Sequence, residues 1–264
     1  MSQSTNTQNT TLFIVKEVFT FRWRPTSDLL MVAFSWILVV AGLYTATFIV
    51  GSTALGGMGY FLTYAVLTTL AFGICIPVGW MLFVRKSSPV SLGITSKNLF
   101  LSILLQLVFA IIQFLLMRSV IQLPPFRTML PLIALSLCTG FFEAVFWRGW
   151  VQMRIERSFG VIPGILLGSA LYALYHVGYG MPWSEIYFLF FIGLMFAIIF
   201  RITSNIFILW PVFQSLGQVT TLVRDKLELP FMAVIGFAEV LAAMIIVVVI
   251  AFRLYNKRTI VGGK

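Results

Sequence analysis

Within long apolar runs, this chain of 264 residues carries a short set of side chains able to move a proton or hold a charge: Gln106, Gln113, Glu143 with Arg148, His176, Gln214 with Gln218, and Glu239. His176 is the only histidine. An ionisable group in hydrocarbon is unfavourable by several kcal/mol on most scales, so a Glu or Arg at that depth is by default a candidate functional residue. A carboxylate facing an imidazole in a dry pocket can hold a water and take its proton, with Glu143 as general base and His176 orienting the water. Glutamine amides supply N–H donors to an oxyanion that develops nearby. A structural Glu–His or Glu–Arg pair that fixes helix packing uses the same residues, and a lone intramembrane Gln commonly bonds a neighbouring helix. Arg148 is read as a snorkelling or carboxylate-pairing group. Glu239 is read as pairing with a polar group on a neighbouring span, lining a water-filled cavity or binding a partner's charge, with the structural partner favoured, and it stays outside the catalytic set.

The elements that must position these groups are membrane helices. The chain is 60% hydrophobic and 10% charged, with a mean hydropathy of +1.01, whereas soluble domains carry about 25% charged residues. At roughly 20 residues per pass, the apolar runs predict an all-α bundle of about eight transmembrane helices, near 29–50, 57–84, 98–118, 130–153, 161–180, 186–201, 206–223 and 231–253. A polar N-terminal segment, 1–28, precedes a single transmembrane domain, 29–254, and a basic tail, 255–264, follows. Lys16 to Arg24, with Phe19, Phe21 and Trp23 between basic residues, reads either as an interfacial segment or as a short flanking strand or loop. The first apolar run is too long for the h-region of a cleavable signal peptide. Arg85 to Asn98 and the Pro124-Pro125 break read as connectors.

An even number of passes puts both termini on one side. Of the 18 Lys and Arg, only Arg118, Arg127, Arg224 and Lys226 fall on the opposite side, so the positive-inside rule predicts cytoplasmic termini. The formal net charge of +10 thus reports topology, and no nucleic-acid motif accompanies it. Two cysteines, Cys75 and Cys138, both within spans, provide no disulfide framework or CxxC site. One histidine without a second acid beside it leaves no metal site, and no cofactor is expected; membrane lipid is an expected partner. The prolines within spans do not recur at matching places in the two halves, which argues against an inverted-repeat transporter. A pigment-binding subunit, suggested by 7 Trp, 8 Tyr and 26 Phe, lacks imidazole ligands.

Spans four and five turn back on each other at Ser158-Phe159-Gly160, and positions 143 and 176 are equidistant from that turn. Glu143 and His176 are therefore expected at one depth, roughly 12–14 Å inside the membrane. Gln214 reaches the same level from its own span, and Gln218 follows one turn later on its face.

Three motifs in this region resemble the CPBP intramembrane proteases, which include CAAX-processing prenyl-protein endopeptidases and bacteriocin-associated membrane proteins. The family's EExxxR, usually followed by Gly, stands as Glu143-Ala144-Val145-Phe146-Trp147-Arg148-Gly149. Its second motif, an aromatic followed after three residues by His, stands as Tyr172-Ala173-Leu174-Tyr175-His176. Its HxxxN motif aligns with Gln214-Ser215-Leu216-Gly217-Gln218, and Leu92-Gly93-Ile94 gives a weaker echo. The resemblance implies an endopeptidase acting on a membrane-tethered peptide or protein, in which Glu143 and His176 activate water and Gln214, Gln218 and Arg148 support them. Ala144, Gln214 and Gln218 depart from the family pattern and keep a second reading open: a pseudoprotease serving a protein partner as membrane scaffold, immunity factor or assembly subunit.

Overall fold

The structure, a computed structural model, describes residues 18–52, 56–119 and 122–262. The expected polar terminus Met1 to Thr11 and Lys16 lie outside the described residues. Every regular element among those described is helical. Seven helices are long and apolar enough to cross a membrane: α1 (Ser27–Val50), α2 (Gly57–Val84), α3 (Leu99–Met117), α4 (Phe126–Phe159), α5 (Val161–Tyr179), α6 (Trp183–Thr203) and, after a shorter α7 (Phe213–Arg224), α8 (Ala233–Ile260). The bundle expected from the sequence is thus present, with seven such spans among the described residues where about eight are predicted.

The difference lies at 206–223. This stretch is broken: a single tight turn over Ile206–Ile208 is followed by irregular backbone, and helix resumes only at Phe213. Pro211 explains the break, since it has no N–H to donate and its ring crowds the preceding residue out of helical geometry. Backbone freed at such a depth needs partners from within the protein. Gln106 of α3 provides them, donating to the Phe207 carbonyl at 3.0 Å and accepting the Val212 N–H at 2.6 Å. The stretch then follows α3 toward its end, where the Thr220 hydroxyl meets Met117 Sδ at 3.3 Å.

Helix α4 occupies the centre, and it begins at Phe126, four residues before the expected start. Every residue from Cys138 to Gln152 is buried, so its polar members Thr139, Glu143, Arg148 and Gln152 must find partners inside the protein. Immediately after Glu143 its hydrogen bonding widens to an i→i+5 pattern over Ala144–Gln152, a local widening often found at functional sites. Trp150 Nε1 donates to Ser35 Oγ of α1 at 3.1 Å, and Trp36 Nε1 donates to the Leu171 carbonyl of α5 at 3.0 Å, so α1 is fastened to both arms of the central hairpin. Gly160 makes the turn between those arms with φ of 101°, a backbone region that favours glycine.

Two segments read as connectors or interfacial elements are folded onto the bundle. Residues 20–26 form no regular element, and the Arg22 and Arg24 N–H groups donate to Phe159 and Ser158 carbonyls at 3.0 Å each. Within Arg85 to Asn98, Leu92 is fully buried and Asn205 Nδ2 donates to the Thr95 and Lys97 carbonyls at 2.8 and 2.9 Å. Asp28 pins the same end of the molecule: Oδ1 accepts from Trp80 Nε1 at 2.7 Å and from Arg85 Nε at 2.5 Å, while Arg154 Nη1 stands 4.0 Å from Oδ2. Arg258 of α8 donates to the Leu82 carbonyl at 3.0 Å near this point. We expect Asp28→Ala to lose about 1–3 kcal/mol, because it strips the acceptor from Trp80 and Arg85 and the nearby carboxylate from Arg154. A lowered Tm of the detergent-solubilised variant measures this, and an unchanged Tm would show that the cluster is not structural.

Candidate active site

The first regular stretch of α4 ends at Glu143, and two elements deliver donors to its carboxylate. Tyr175, at the end of α5, donates its hydroxyl to Oε1 at 2.8 Å, and Gln214, in the first turn of α7, donates Nε2 to Oε2 at 2.7 Å. All three residues are buried. Gln218, one turn after Gln214, accepts at Oε1 from the Thr139 hydroxyl at 2.9 Å, one turn before Glu143 on α4. Helices α4 and α7 therefore run antiparallel, with 143 against 214 and 139 against 218. The break before α7 sets that register, since Gln106 fixes the backbone at Phe207 and Val212 just upstream.

His176 lies beside this cluster. Its Nδ1 faces the carbonyls of Tyr172 and Ala173 at 3.0 and 3.3 Å. A carbonyl can only accept, so Nδ1 is assigned the hydrogen and Nε2 keeps the lone pair. The imidazole packs 4.0 Å, centroid to centroid, from the Tyr175 ring. Among the described residues no hydrogen bond joins His176 directly to Glu143; the tyrosine whose hydroxyl holds the carboxylate lies against the imidazole. Trp147 completes the wall, 4.8 Å from Tyr175 and 5.8 Å from Tyr172.

Arg148 corrects one expectation. It neither snorkels nor makes an ion pair within 4 Å of a carboxylate among the described residues: it is 2% exposed, its guanidinium lies 5.2 Å from the centroid of the Tyr172 ring, and Nη1 is 3.5 Å from Gln152 Oε1. Eleven residues before the end of a 34-residue helix its side chain packs inward, where the aromatic face of Tyr172 receives the guanidinium. The next residue, Gly149, packs against the backbone of Leu92, which explains a glycine at this point of the stretch. Glu239 also departs from expectation. It lies on the exposed face of α8 and makes no ion pair or hydrogen bond among the described residues.

Tyr175 is the functional candidate that sequence reading passed over. It sits between the two quoted positions of the second motif, Tyr172 and His176, and resembled ordinary aromatic filler. Its signal was proximity to His176 at the irregular end of α5, where the chain tightens over Tyr175–Tyr179 and swings consecutive side chains toward α4. Several buried polar atoms here have no protein partner among the described residues: Gln214 Oε1, Ser215 Oγ and Trp147 Nε1. Orphaned groups gathered around a carboxylate mark a place where water or substrate can bond. No group of three or more His, Cys, Asp or Glu side chains able to hold a metal ion occurs among the described residues.

Comparison with curated proteins gives no match. Residues 125–213, from the start of α4 to the residue before Gln214, match the family model described as Type II CAAX prenyl endopeptidase Rce1-like, the CPBP/CAAX protease family that the motifs on α4 and α5 resemble.

Proposed function

We propose that this multi-pass membrane protein is a CAAX-type intramembrane endopeptidase that cuts a membrane-tethered peptide or protein with a water activated by Glu143. The observation that carries this reading is the buried Glu143 carboxylate held by Tyr175 and Gln214, with unpartnered polar atoms around it. Each carboxylate oxygen retains acceptor capacity beyond the one donor it takes. Water bound there gives a proton to Glu143 as its oxygen attacks the scissile carbonyl carbon. His176 Nε2, left as an acceptor by the bond at Nδ1, takes the water's other hydrogen as a hydrogen bond and so aims the oxygen lone pair.

The oxyanion of the tetrahedral intermediate needs donors. The Gln214 amide nitrogen has two hydrogens and uses one on Glu143, leaving the other, while the Gln218 amide supplies more. Collapse breaks the C–N bond as Glu143 returns its proton to the departing amine. The concentration of Lys and Arg on one side supports a cytoplasmic location for both termini, and with them for the Asp28 end of the bundle.

The departures at Ala144, Gln214 and Gln218 favour a second reading, in which the same framework binds a protein partner without cutting it. Reconstituted protein and its His176→Ala variant, presented with lipidated peptides, separate the two. For a protease, the variant folds normally and turnover falls about 100-fold or more. Equal background cleavage by both proteins, with a partner co-purifying equally with each, would establish the binding-only reading.

A further inference from the structure

Away from the carboxylate site, at the turn between α4 and α5, a cleft of about 210 Å3 is lined by Arg22, Arg157 and Arg201, by Glu156, and by Gly160 and Val161. Three arginines and one glutamate thus line the cleft. The glutamate is already engaged: Glu156 Oε1 accepts from Gln152 Nε2 at 2.9 Å, and Oε2 stands 3.4 Å from Arg201 Nε. Arg157, by contrast, makes no side-chain hydrogen bond or ion pair within 4 Å among the described residues and feels the Asp28 carboxylate only at longer range. The first turn of α5 adds its positive end to the wall.

The cleft also has a level in the membrane. Phe21 and Trp23, 62% and 72% exposed, gather around Phe159 with ring centroids 6.5 and 5.2 Å away. Exposed aromatic rings among basic side chains mark the headgroup layer. On α6, Ile198 and Ile202 flank Arg201 and are exposed on the apolar surface. A negative group in the cleft would thus lie at headgroup depth, with hydrocarbon-facing side chains directly beside it.

We infer that this cleft binds the phosphate of an anionic phospholipid, with Arg157 and Arg201 as its ligands and the acyl chains lying along Ile198 and Ile202. The volume is several times the roughly 30 Å3 share of one water and admits a phosphodiester. Arginine suits it, because the planar fork engages two phosphate oxygens at once. The adjoining apolar strip favours a lipid over a soluble phosphate. Basic pockets between helices on the cytoplasmic side are a recognised setting for such headgroups.

Titration of detergent-solubilised protein with phosphatidylglycerol or phosphatidylcholine, followed by native mass spectrometry, tests this. Wild type should retain phosphatidylglycerol preferentially. Arg157→Gln and Arg201→Gln should each lower that preference about fivefold, the factor equivalent to roughly 1 kcal/mol per basic residue. Arg157→Lys should recover part of it, and Arg224→Gln, beside Asp225 on an exposed turn, should leave it unchanged. Arg201→Gln also releases Glu156, so Arg157→Gln decides the matter if the former fails to fold. Equal retention by folded wild type and folded Arg157→Gln overturns the site. Displacement of phosphatidylglycerol by inorganic phosphate at matched concentration overturns the lipid as its source.

Discussion

Glu143→Gln is expected to abolish turnover while leaving the bundle assembled. The substitution keeps the volume of the side chain and one acceptor oxygen, so either Tyr175 or Gln214 retains its bond. What disappears is the capacity to take a proton from water, and loss of a general base lowers rate by about 100- to 10,000-fold. Glu143→Ala should be equally inactive for a different combination of reasons. It leaves the Tyr175 hydroxyl and the Gln214 amide buried with no acceptor, at about 1–3 kcal/mol for each. The two variants therefore share an activity loss and differ in Tm, with Ala well below Gln. Measured side by side on a lipidated peptide, equal cleavage by wild type and Glu143→Gln would remove Glu143 from the chemistry. A Gln variant as unstable as Ala would instead make the carboxylate chiefly structural.

The residues behind that prediction were legible in the sequence to different degrees. Glu143 stood out because a charge within an apolar run has to be explained, and His176 because it is the only histidine. Hairpin arithmetic around Gly160 then suggested that they face each other, and the structure adds that Tyr175 is the group in direct contact with both. Helical periodicity does not reveal this, since the chain leaves regular α-helix at Tyr175 and consecutive side chains no longer turn by a fixed step. The break before α7 was partly legible. Pro211 was visible as an interruption, but hydropathy sums the window and reads 206–223 as one more span. Gln106 as the partner of the broken backbone could not be read, because it lies 101 positions from Phe207 and only tertiary folding brings them together. Arg148 was legible only in part for a related reason: charge is visible in sequence, but the Tyr172 face that receives it is a property of packing.

Gly149→Ala should destabilise the protein, although local propensity argues the other way. Within a helix Ala is about 1 kcal/mol more favourable than Gly, so on an open helix face this change would stabilise. At Gly149 a Cβ would overlap the backbone carbonyl oxygen of Leu92, and backbone cannot swing aside as a flexible side chain can. Overpacking of this kind typically costs about 1–3 kcal/mol, enough to reverse the sign. Gly79→Ala on α2 is the matched control, since a Cβ there meets nothing within 4 Å and only the propensity gain remains. The consequence at Gly149 also reaches the carboxylate. The segment carrying Leu92 continues through Gly93, whose φ of 73° and carbonyl bond to the Ile206 N–H at 3.0 Å tie it to the broken stretch before α7. Pushing Leu92 outward therefore strains the anchor that sets Gln214 against Glu143. Gly149→Ala should lower Tm and reduce turnover together, while Gly79→Ala keeps turnover and raises Tm slightly. A Gly149→Ala protein as stable as wild type would show that the Leu92 segment yields freely and does not hold α7 in register with α4.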